Sequence, residues 1–320
     1  MIKIVLTKKL NPDAEALFEN LNVDLVNVPE GDTEAFDREM ADAEALLLST
    51  AFTVTREVIE KSPKLKVISR TGVGVDNVDV KAASERGIMV LNTPAANSLS
   101  VAEHAVSFIG ALSKQLFYYG AELRKGNFKV RRENRCVDID GKILGLIGCG
   151  QIGRLVASKC EKAFNMKVIG YDPFITQDID NIKILPELDD VLRQADYVSL
   201  HLPLNDQTRN LIDAEKLSLL KPTAFILNTS RGGIINEDAL ADALSEGRIA
   251  GAGVDVFNKE PPDPDSKLLN APNIILTPHS AALTNECTRR VAFEAAKGIA
   301  DYCKGLKPIY IFNRKDLENK

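Results

Sequence analysis

Arg231, Glu260 and His279 are three side chains whose types could act together on a small acid. A guanidinium binds a carboxylate through paired charge-assisted hydrogen bonds. An imidazole exchanges a proton near neutral pH, and a neighbouring carboxylate favours its protonated form and fixes its orientation. Arg231 and His279 each follow a predicted strand. Taken singly, each is also compatible with a structural loop residue. His104 lies in a helical pattern that favours packing or an interface, and His201 is expected to line a cofactor cleft.

A glycine-rich turn runs from Gly148 to Gly153 and fits the pattern GxGxxG. It follows a predicted strand and opens a predicted helix, which is the context in which this pattern binds a dinucleotide pyrophosphate. Gly148 permits the turn, Gly150 leaves room for the phosphates, and Gly153 allows close packing of helix and strand. Asp172 lies at the end of the next predicted strand, directly after Tyr171, where a carboxylate binds the ribose 2′-hydroxyl and repels a 2′-phosphate. The sequence therefore predicts a site for NAD in preference to NADP.

Short apolar runs alternate with helical patterns along most of the chain, which predicts parallel sheets with helical crossovers. A first series of strands is predicted at Ile2–Leu6, Val23–Val28, Ala45–Leu48, Leu65–Ile68 and Ile88–Leu91. A second series is predicted at Ile143–Ile147, Lys167–Tyr171, Tyr197–Leu200, Ala224–Leu227, Gly251–Val254 and Ile274–Leu276. Two such series predict two doubly wound α/β domains.

A long helix is predicted between the two series, over Ser100–Leu123. Its apolar residues exceed what one packed face needs, so part of them is expected to form a two-fold dimer contact. A last helix is predicted at Asn285–Cys303, and Pro308–Phe312 is expected to be a strand. The chain is then expected to end in the first domain.

Composition narrows the class of protein. The 320 residues include 45% hydrophobic and 27% charged residues with a net charge of −5, so a nucleic-acid-binding surface is not expected. No apolar run is long enough to span a membrane, and the N-terminal residues are too interrupted for a signal peptide. Five cysteines without a CxxC motif favour reduced thiols in the cytoplasm, and no metal site is predicted.

Several motifs in collinear order carry a family resemblance. They are Arg70–Asp79, Asn92–Ser98, Gly148–Gly153, Ser230–Gly233, Asp255–Phe257 with Glu260–Pro262, and Pro278-His279. With them the chain resembles the D-isomer-specific 2-hydroxyacid dehydrogenases, most closely the phosphoglycerate dehydrogenase branch. The resemblance covers nearly the whole chain and identifies Arg231, Glu260 and His279 as the catalytic residues.

The resemblance also implies an architecture. A Rossmann-type NAD-binding domain, residues 99–284, would be inserted into a flavodoxin-like substrate domain, residues 1–98 and 285–320. Hinges would fall near Asn97–Ser100 and Ala282–Asn285. The chain would be a short form without a C-terminal regulatory domain, and a homodimer.

The predicted binding residues follow from the motifs and the resemblance together. Arg70, Val73, Gly74, Arg231 and His279 are expected to bind the substrate. The cofactor-binding residues are expected to be Gly148, Gly150, Gln151, Ile152, Gly153, Asp172, Leu202, Pro203, Thr208, Thr229, Ser230, Arg231, Asp255, His279, Ala281 and Ala282.

The resemblance implies a small 2-hydroxy or 2-keto acid as the substrate. It favours the oxidation of 3-phospho-D-glycerate to 3-phosphohydroxypyruvate, which is a step of serine biosynthesis. A remote phosphate needs cations, for which Arg70 and the basic run between Arg124 and Arg135 are candidates. Relatives often carry an arginine where this chain has Ser49. Glyoxylate, hydroxypyruvate or D-lactate therefore stay as alternative substrates. A non-enzymatic, NAD-regulated corepressor is a remote alternative.

Overall fold

Strands and helices alternate in two separate series in the computed structural model, which describes residues 1–133 and 135–318. The chain divides into two units. The first consists of Met1–Asn97 and Leu283–Lys320, and the second of Ser98–Ala282. Each unit has its own parallel sheet.

The first unit contains a five-stranded sheet in the order β2-β1-β3-β4-β5. Its strands are β1 (Ile2–Leu6), β2 (Val23–Asn27), β3 (Ala45–Leu48), β4 (Val67–Arg70) and β5 (Met89–Leu91). Its α-helices are Pro12–Glu15, Thr33–Met40, Arg56–Lys61, Val80–Glu85, Asn285–Cys303 and Arg314–Glu318, with a 3-10 turn at Ala16–Phe18. All pairings between these strands are parallel, and the order is that of flavodoxin-like sheets.

Both faces of this first sheet are covered, which is why its strands read as continuous apolar runs. Val5, Leu46 and Ile68 pack on one face, in the cluster that includes Phe36. Ile4, Leu47 and Val67 point to the opposite face and pack with residues of the helix Asn285–Cys303. Thr284 is the N-cap of that helix, and its hydroxyl oxygen accepts a hydrogen bond from the Cys287 N–H.

The second unit contains a seven-stranded parallel sheet in the order β12-β11-β10-β9-β6-β7-β8. Its strands are β6 (Ile143–Ile147), β7 (Lys167–Tyr171), β8 (Ile182–Ile184), β9 (Tyr197–Leu200), β10 (Phe225–Asn228), β11 (Gly251–Val254) and β12 (Ile274–Leu276). Its α-helices are Ser98–Ser113, Leu116–Arg124, Gln151–Phe164, Leu188–Gln194, Ala214–Ser218 and Glu237–Ser245, with 3-10 turns at Phe128–Arg132 and Lys267–Asn270. The first six strands have the Rossmann order, so the predicted fold class is confirmed.

The prediction of one helix over Ser100–Leu123 is wrong, because the helix ends at Ser113 and a new one begins at Leu116. Gln115 between them has a left-handed backbone, with φ of +51°. The Ser113 side chain is hydrogen-bonded to Tyr197, and its carbonyl accepts from the Val137 N–H. These contacts tie the helix end to the returning chain and stop the helix there.

The prediction of a strand over Pro308–Phe312 is also wrong. Only Ile311 forms a bridge, with Leu91 of the short edge strand β5. The Val90 N–H of β5 donates to the side-chain oxygen of Asn313, so a side chain and not a further strand accepts this hydrogen bond at the edge of the sheet. Conversely, the edge strand β8 is absent from the predicted series. Among the described residues, no helix is both long enough and apolar enough to cross a membrane.

Candidate cofactor and catalytic site

The glycine-rich turn connects β6 to the helix Gln151–Phe164 in the second unit. Gly148 has φ of +95°, a backbone region that favours glycine. A Cβ on Gly148 would also come within 2.5 Å of the His201 carbonyl oxygen, and one on Gly153 would overlap the Gly148 carbonyl. The strand, the turn and the helix therefore approach more closely than side chains would permit.

Asp172 directly follows β7 and faces this turn. One carboxylate oxygen accepts from the Cys149 N–H at 3.0 Å, and the other accepts from the Phe174 N–H at 3.0 Å. Each oxygen thus has one backbone donor and retains capacity to accept from a ligand hydroxyl. Backbone N–H groups from two loops thus fix the orientation of the Asp172 carboxylate, which a ribose-binding carboxylate requires.

The residues of this turn fit a dinucleotide. The helix Gln151–Phe164 begins after Gly150 without a side-chain cap, so protein side chains do not occupy its N-terminal N–H groups. A Cβ added to Gly150 would have no neighbouring atom of the described residues within 4 Å, so the space beside this glycine is open. Free N–H groups and the helix dipole at such an end bind phosphate. Gly148, Gly150, Gln151, Ile152 and Gly153 would hold the pyrophosphate of NAD.

His201 lies under the turn, at the end of β9. Its backbone N–H donates to Ile147, and its Nε2 is hydrogen-bonded to Ser199 at 2.9 Å. Its Nδ1 is shielded from solvent and has no partner among the described residues. Burial lowers the pKa of His201 to about 4, so the ring is neutral at pH 7. This environment suits a structural role for the ring rather than proton transfer.

Arg231 lies in a turn after β10 that is fixed by a buried asparagine. The Asn228 side chain donates to the Arg231 carbonyl at 2.9 Å and accepts from both the backbone and the hydroxyl of Ser230. A Cβ on Gly232 would overlap the Phe257 carbonyl, so this turn packs against the chain that follows β11. The role of Asn228 was not predicted from the sequence.

His279 and Glu260 form a hydrogen-bonded pair. His279 Nδ1 lies 2.7 Å from Glu260 Oε2, while Glu260 Oε1 accepts from the Phe257 N–H at 3.1 Å. The carboxylate is therefore held from its own loop and in turn orients the imidazole, with Nε2 on the opposite side of the ring. Both side chains are partly open to solvent, at 49% for His279 and 38% for Glu260.

Asp255 fixes the loop that carries His279. It is fully buried after β11, and its carboxylate accepts from the Thr277 hydroxyl at 2.5 Å, the Ser280 N–H at 2.8 Å and the Ala281 N–H at 3.0 Å. His104 Nε2 lies 3.0 Å from the Thr277 hydroxyl. Burial lowers the pKa of His104 despite the nearby Asp255 carboxylate. Thr277 and His104 thus support the loop, and the sequence predicted neither contact.

The pair borders a cavity of about 460 Å³ within the second unit. Mainly apolar side chains line it, together with the pair. Its lining residues are Phe257, Glu260, Pro261, Pro262, Leu269, Leu276, Thr277, Pro278 and His279. A concave, mainly apolar surface with a few polar groups is typical of small-molecule sites.

The predicted catalytic residues follow three neighbouring strands. β10 pairs with β11 and β11 pairs with β12, so Arg231, Glu260 and His279 lie along one edge of the sheet. Thr229 and Ser230 lie in the Arg231 turn, and Ala281 and Ala282 follow His279. Leu202 and Pro203 follow β9, and the Thr208 hydroxyl donates to the Pro203 carbonyl at 2.7 Å. Their contacts with a cofactor stay a prediction.

The predicted substrate-binding residues of the first unit lie on the loop after β4. The Arg70 guanidinium folds over Gly72, and its Nη1 donates to the Thr71 carbonyl at 2.7 Å. Asn92 donates to the Val73 carbonyl at 2.8 Å, and the Thr93 N–H donates to the Gly72 carbonyl at 2.9 Å. These bonds fix the loop that contains Gly74.

The geometry of the second unit defines a dinucleotide-binding protein with an arginine and a histidine–carboxylate pair along the same sheet edge. Residues 106–281 match the family "D-isomer specific 2-hydroxyacid dehydrogenase, NAD binding domain". The chain belongs to this family, and its second unit is the family's NAD-binding domain.

Relatives and solved structures agree with this assignment. The chain is 40% identical over 309 residues, 95% of its length, to a D-3-phosphoglycerate dehydrogenase of Methanocaldococcus jannaschii, of which it covers 58%. It thus spans a little over half the length of the curated relatives it matches. The TT0316 protein of Thermus thermophilus is 30% identical with a TM-score of 0.88, covering 97% of this chain and 100% of its own. A D-lactate dehydrogenase of Aquifex aeolicus, solved with NAD and lactic acid, is 28% identical with a TM-score of 0.83, covering 99% and 98%.

Proposed function

We propose that the protein is an NAD-dependent D-2-hydroxyacid dehydrogenase that oxidises 3-phospho-D-glycerate to 3-phosphohydroxypyruvate. The observation that carries the proposal is the 2.7 Å hydrogen bond between His279 and Glu260, beside the arginine turn and in the same unit as the dinucleotide cradle. The similarity to D-3-phosphoglycerate dehydrogenases supports the choice of substrate.

The chemistry divides among three side chains. NAD, when bound, supplies the acceptor for the hydride that leaves C2 of the hydroxy acid. His279 takes the hydroxyl proton on Nε2 during oxidation and returns it during reduction, which is general acid–base catalysis. Glu260 orients the imidazole through Nδ1 and stabilises its cationic form. Arg231 binds the substrate carboxylate and polarises the C2 oxygen.

Arg70, Val73 and Gly74 are proposed to bind the substrate from the first unit. The Gly72 N–H already donates to the Arg70 carbonyl, so the backbone N–H groups that this loop is proposed to offer to a carboxylate are those of Val73 and Gly74. Arg70 is the cation proposed for the phosphate, and the basic residues from Arg124 to Arg135 are a second source of positive charge. Asp172 supports a preference for NAD over NADP.

A second candidate function is the reduction of an unphosphorylated keto acid such as glyoxylate, hydroxypyruvate or pyruvate. The observation that favours it is Ser49, which is buried and hydrogen-bonded to Thr7. Ser49 therefore offers no charge to a phosphate. The similarity to a D-lactate dehydrogenase supports this candidate as well.

A substrate panel tests the two candidates. NADH oxidation is followed with phosphohydroxypyruvate, hydroxypyruvate, glyoxylate and pyruvate, and NAD reduction with 3-phospho-D-glycerate. The proposal expects the highest kcat/KM with phosphohydroxypyruvate. A higher kcat/KM with an unphosphorylated acid would select the second candidate, and no turnover with any of them would contradict both.

The enzyme is also proposed to be a homodimer of the cytoplasm. The helix Leu116–Arg124 has no buried residue within its own chain, which supports a contact with a second copy. No disulfide joins any two of the five cysteines, all of which lie in the described part of the chain, and this agrees with a reducing compartment.

A further inference from the structure

A second cavity, of about 610 Å³, opens in the first unit at the carboxyl ends of β1, β2 and β3. It is formed by the three loops that follow these strands. Its lining residues are Thr7, Lys8, Lys9, Asn27, Val28, Pro29, Glu30, Ser49, Thr50 and Ala51. None of them belongs to the predicted substrate-binding or cofactor-binding residues.

The position in the sheet favours a ligand. The strand order β2-β1-β3 reverses direction at β1, because β2 lies on one side of β1 and β3 on the other. In open parallel sheets, ligands bind outside the carboxyl ends of the strands at such a switch point. The cavity lies at that place in this sheet.

The charges at the cavity favour an anion. Lys8 and Lys9 are both exposed, and neither forms an ion pair within the described part of the chain. Glu30 is the single acidic residue of the lining, so the cavity carries a net positive charge. Two unpaired ammonium groups, each with three donors, are suited to bind a phosphate or a carboxylate.

The floor of the cavity is rigid. The Thr7 hydroxyl donates to the Leu47 carbonyl at 3.1 Å and accepts from the Ser49 N–H at 2.7 Å. The Ser49 hydroxyl oxygen accepts from the Ala51 N–H at 3.2 Å. These bonds join the loops after β1 and β3 and fix the backbone from which Lys8 and Lys9 project.

The cavity also adjoins the loop after β4. The Thr71 N–H donates to the Leu48 carbonyl at 2.8 Å, and the Asn77 side chain donates to the Ser49 carbonyl at 2.9 Å. Neighbouring strands lie about 4.8 Å apart, so β1 is about 10 Å from β4. A lysine side chain extends about 6 Å from its Cα, which brings its ammonium within reach of a three-carbon acid bound at Gly72–Gly74.

We propose that Lys8 and Lys9 bind the distal anionic group of the substrate, and so select a phosphorylated 2-hydroxy acid over an unphosphorylated one. This rests on the proposed function, because it assigns the far end of the same substrate. It also resolves how the chain would bind a phosphate when Ser49 is buried and uncharged.

The test compares the native protein with Lys8→Gln, Lys9→Gln and the double variant. The matched control is Lys81→Gln, which removes an exposed lysine of the same unit outside the cavity. For each protein, kcat/KM is measured with phosphohydroxypyruvate and with hydroxypyruvate, and circular dichroism melting checks the fold. The expected result is that the ratio of the two values falls about tenfold or more in the double variant and stays within about twofold in the control.

A ratio that is unchanged in the double variant, or that falls equally in Lys81→Gln, overturns the proposal. If the native protein reduces neither keto acid, the proposed function fails and the anion site is judged by direct binding. Isothermal titration with inorganic phosphate should then show binding to the native protein that the double variant loses. Equal or absent binding overturns the site independently of catalysis.

Discussion

His279 combines an unusual backbone with a defined hydrogen-bond partner. Its φ is +51°, a left-handed conformation that costs a residue other than glycine about 1 kcal/mol or more. Its N–H donates to the Asp255 carbonyl at 2.7 Å, and Asp255 also holds the residues on either side. The loop therefore imposes the position of the imidazole before any ligand binds.

Replacing His279 by Ala should lower kcat by about 10²–10⁴, because the proton acceptor of the C2 hydroxyl is lost. The dissociation constant of NADH, measured by fluorescence titration, should stay within about threefold, since the glycine turn and Asp172 are unaffected. A variant with native kcat would remove His279 from the mechanism. A variant that no longer binds NADH would assign it to cofactor binding instead.

Glu260→Gln should lower kcat of keto-acid reduction by about tenfold or more, because a neutral amide replaces the carboxylate that holds His279 Nδ1 and orients the imidazole. The dissociation constant of NADH should stay within about threefold, since Glu260 lies outside the glycine-rich turn. Steady-state kinetics at a fixed pH and fluorescence titration with NADH measure the two quantities. A native kcat in the variant would show that Glu260 does not act through His279.

Asp172→Ala should narrow the preference for NAD over NADP by about tenfold or more, because the hydrogen bond to the ribose 2′-hydroxyl and the repulsion of a 2′-phosphate are both removed. The measurement is kcat/KM for the two cofactors at a fixed keto acid concentration. Asp140→Ala, which removes an exposed carboxylate elsewhere in the unit, should leave the ratio unchanged. Equal kcat/KM for both cofactors in the native protein would contradict the assignment.

At the scale of elements, apolar runs were sufficient to predict most strands. β1, β3, β6, β7, β9, β11 and β12 have the predicted bounds, and β2, β4, β5 and β10 differ by one or two residues. Because Arg231 follows β10 and His279 follows β12, the predicted strands also placed both residues at the carboxyl end of the sheet, where the structure has them. β8 was missed because Lys183 interrupts Ile182–Ile184, so the segment is not a continuous apolar run, although the alternation of isoleucine and lysine was a signal.

Other features depend on contacts that no periodicity reveals. The break near Gln115 contains neither glycine nor proline, and the residues around it favour a helix. What ends the helix is the attachment of Ser113 to Tyr197 and Val137, which are distant in sequence. Likewise, the hydrogen bonds of Asn228 and Asp255 that position the site depend on the folded loops. The sequence identifies these residues as polar but not their partners.

His201 lies where β9 meets the glycine-rich turn, and its burial makes the free energy of unfolding depend on pH. His201 has a pKa of about 4 in the folded state against 6.5 for the free side chain, so the unfolded chain binds a proton first as the pH falls. The stability from burying the neutral ring is therefore complete above pH 6.5 and is lost progressively as the pH falls toward 4.

His201→Gln should remove this dependence, because glutamine does not titrate. Between pH 7 and 4 the free energy of unfolding of the native protein should fall by about 3 kcal/mol more than that of the variant. Urea denaturation at pH 7, 6, 5 and 4 measures both. If the free energies of unfolding of the native protein and the variant changed in parallel with pH, protonation of His201 would not destabilise the folded protein.

At the scale of the whole molecule, one surface of the second unit is unusual. Large apolar side chains are exposed along the helix Leu116–Arg124 and the turn after it, including Phe117 at 65% and Phe128 at 64%. The same segment carries basic residues, with Arg131 stacked on the ring of Phe128 and Arg135 on that of Tyr118. Contiguous exposed apolar side chains mark association surfaces, and self-association most often uses two-fold symmetry.

The native protein is therefore expected to have a mass near twice the 35.0 kDa of the chain in multi-angle light scattering at micromolar concentration. Phe117→Glu should shift the mass to that of one chain, because a charge on each copy would be buried in a symmetric contact. Phe174→Glu is the matched control, since Phe174 is 89% exposed on a loop elsewhere in the same unit and should leave the dimer intact. A native mass of one chain would refute the dimer. A dimer that persists in Phe117→Glu would show that the contact does not depend on the helix Leu116–Arg124.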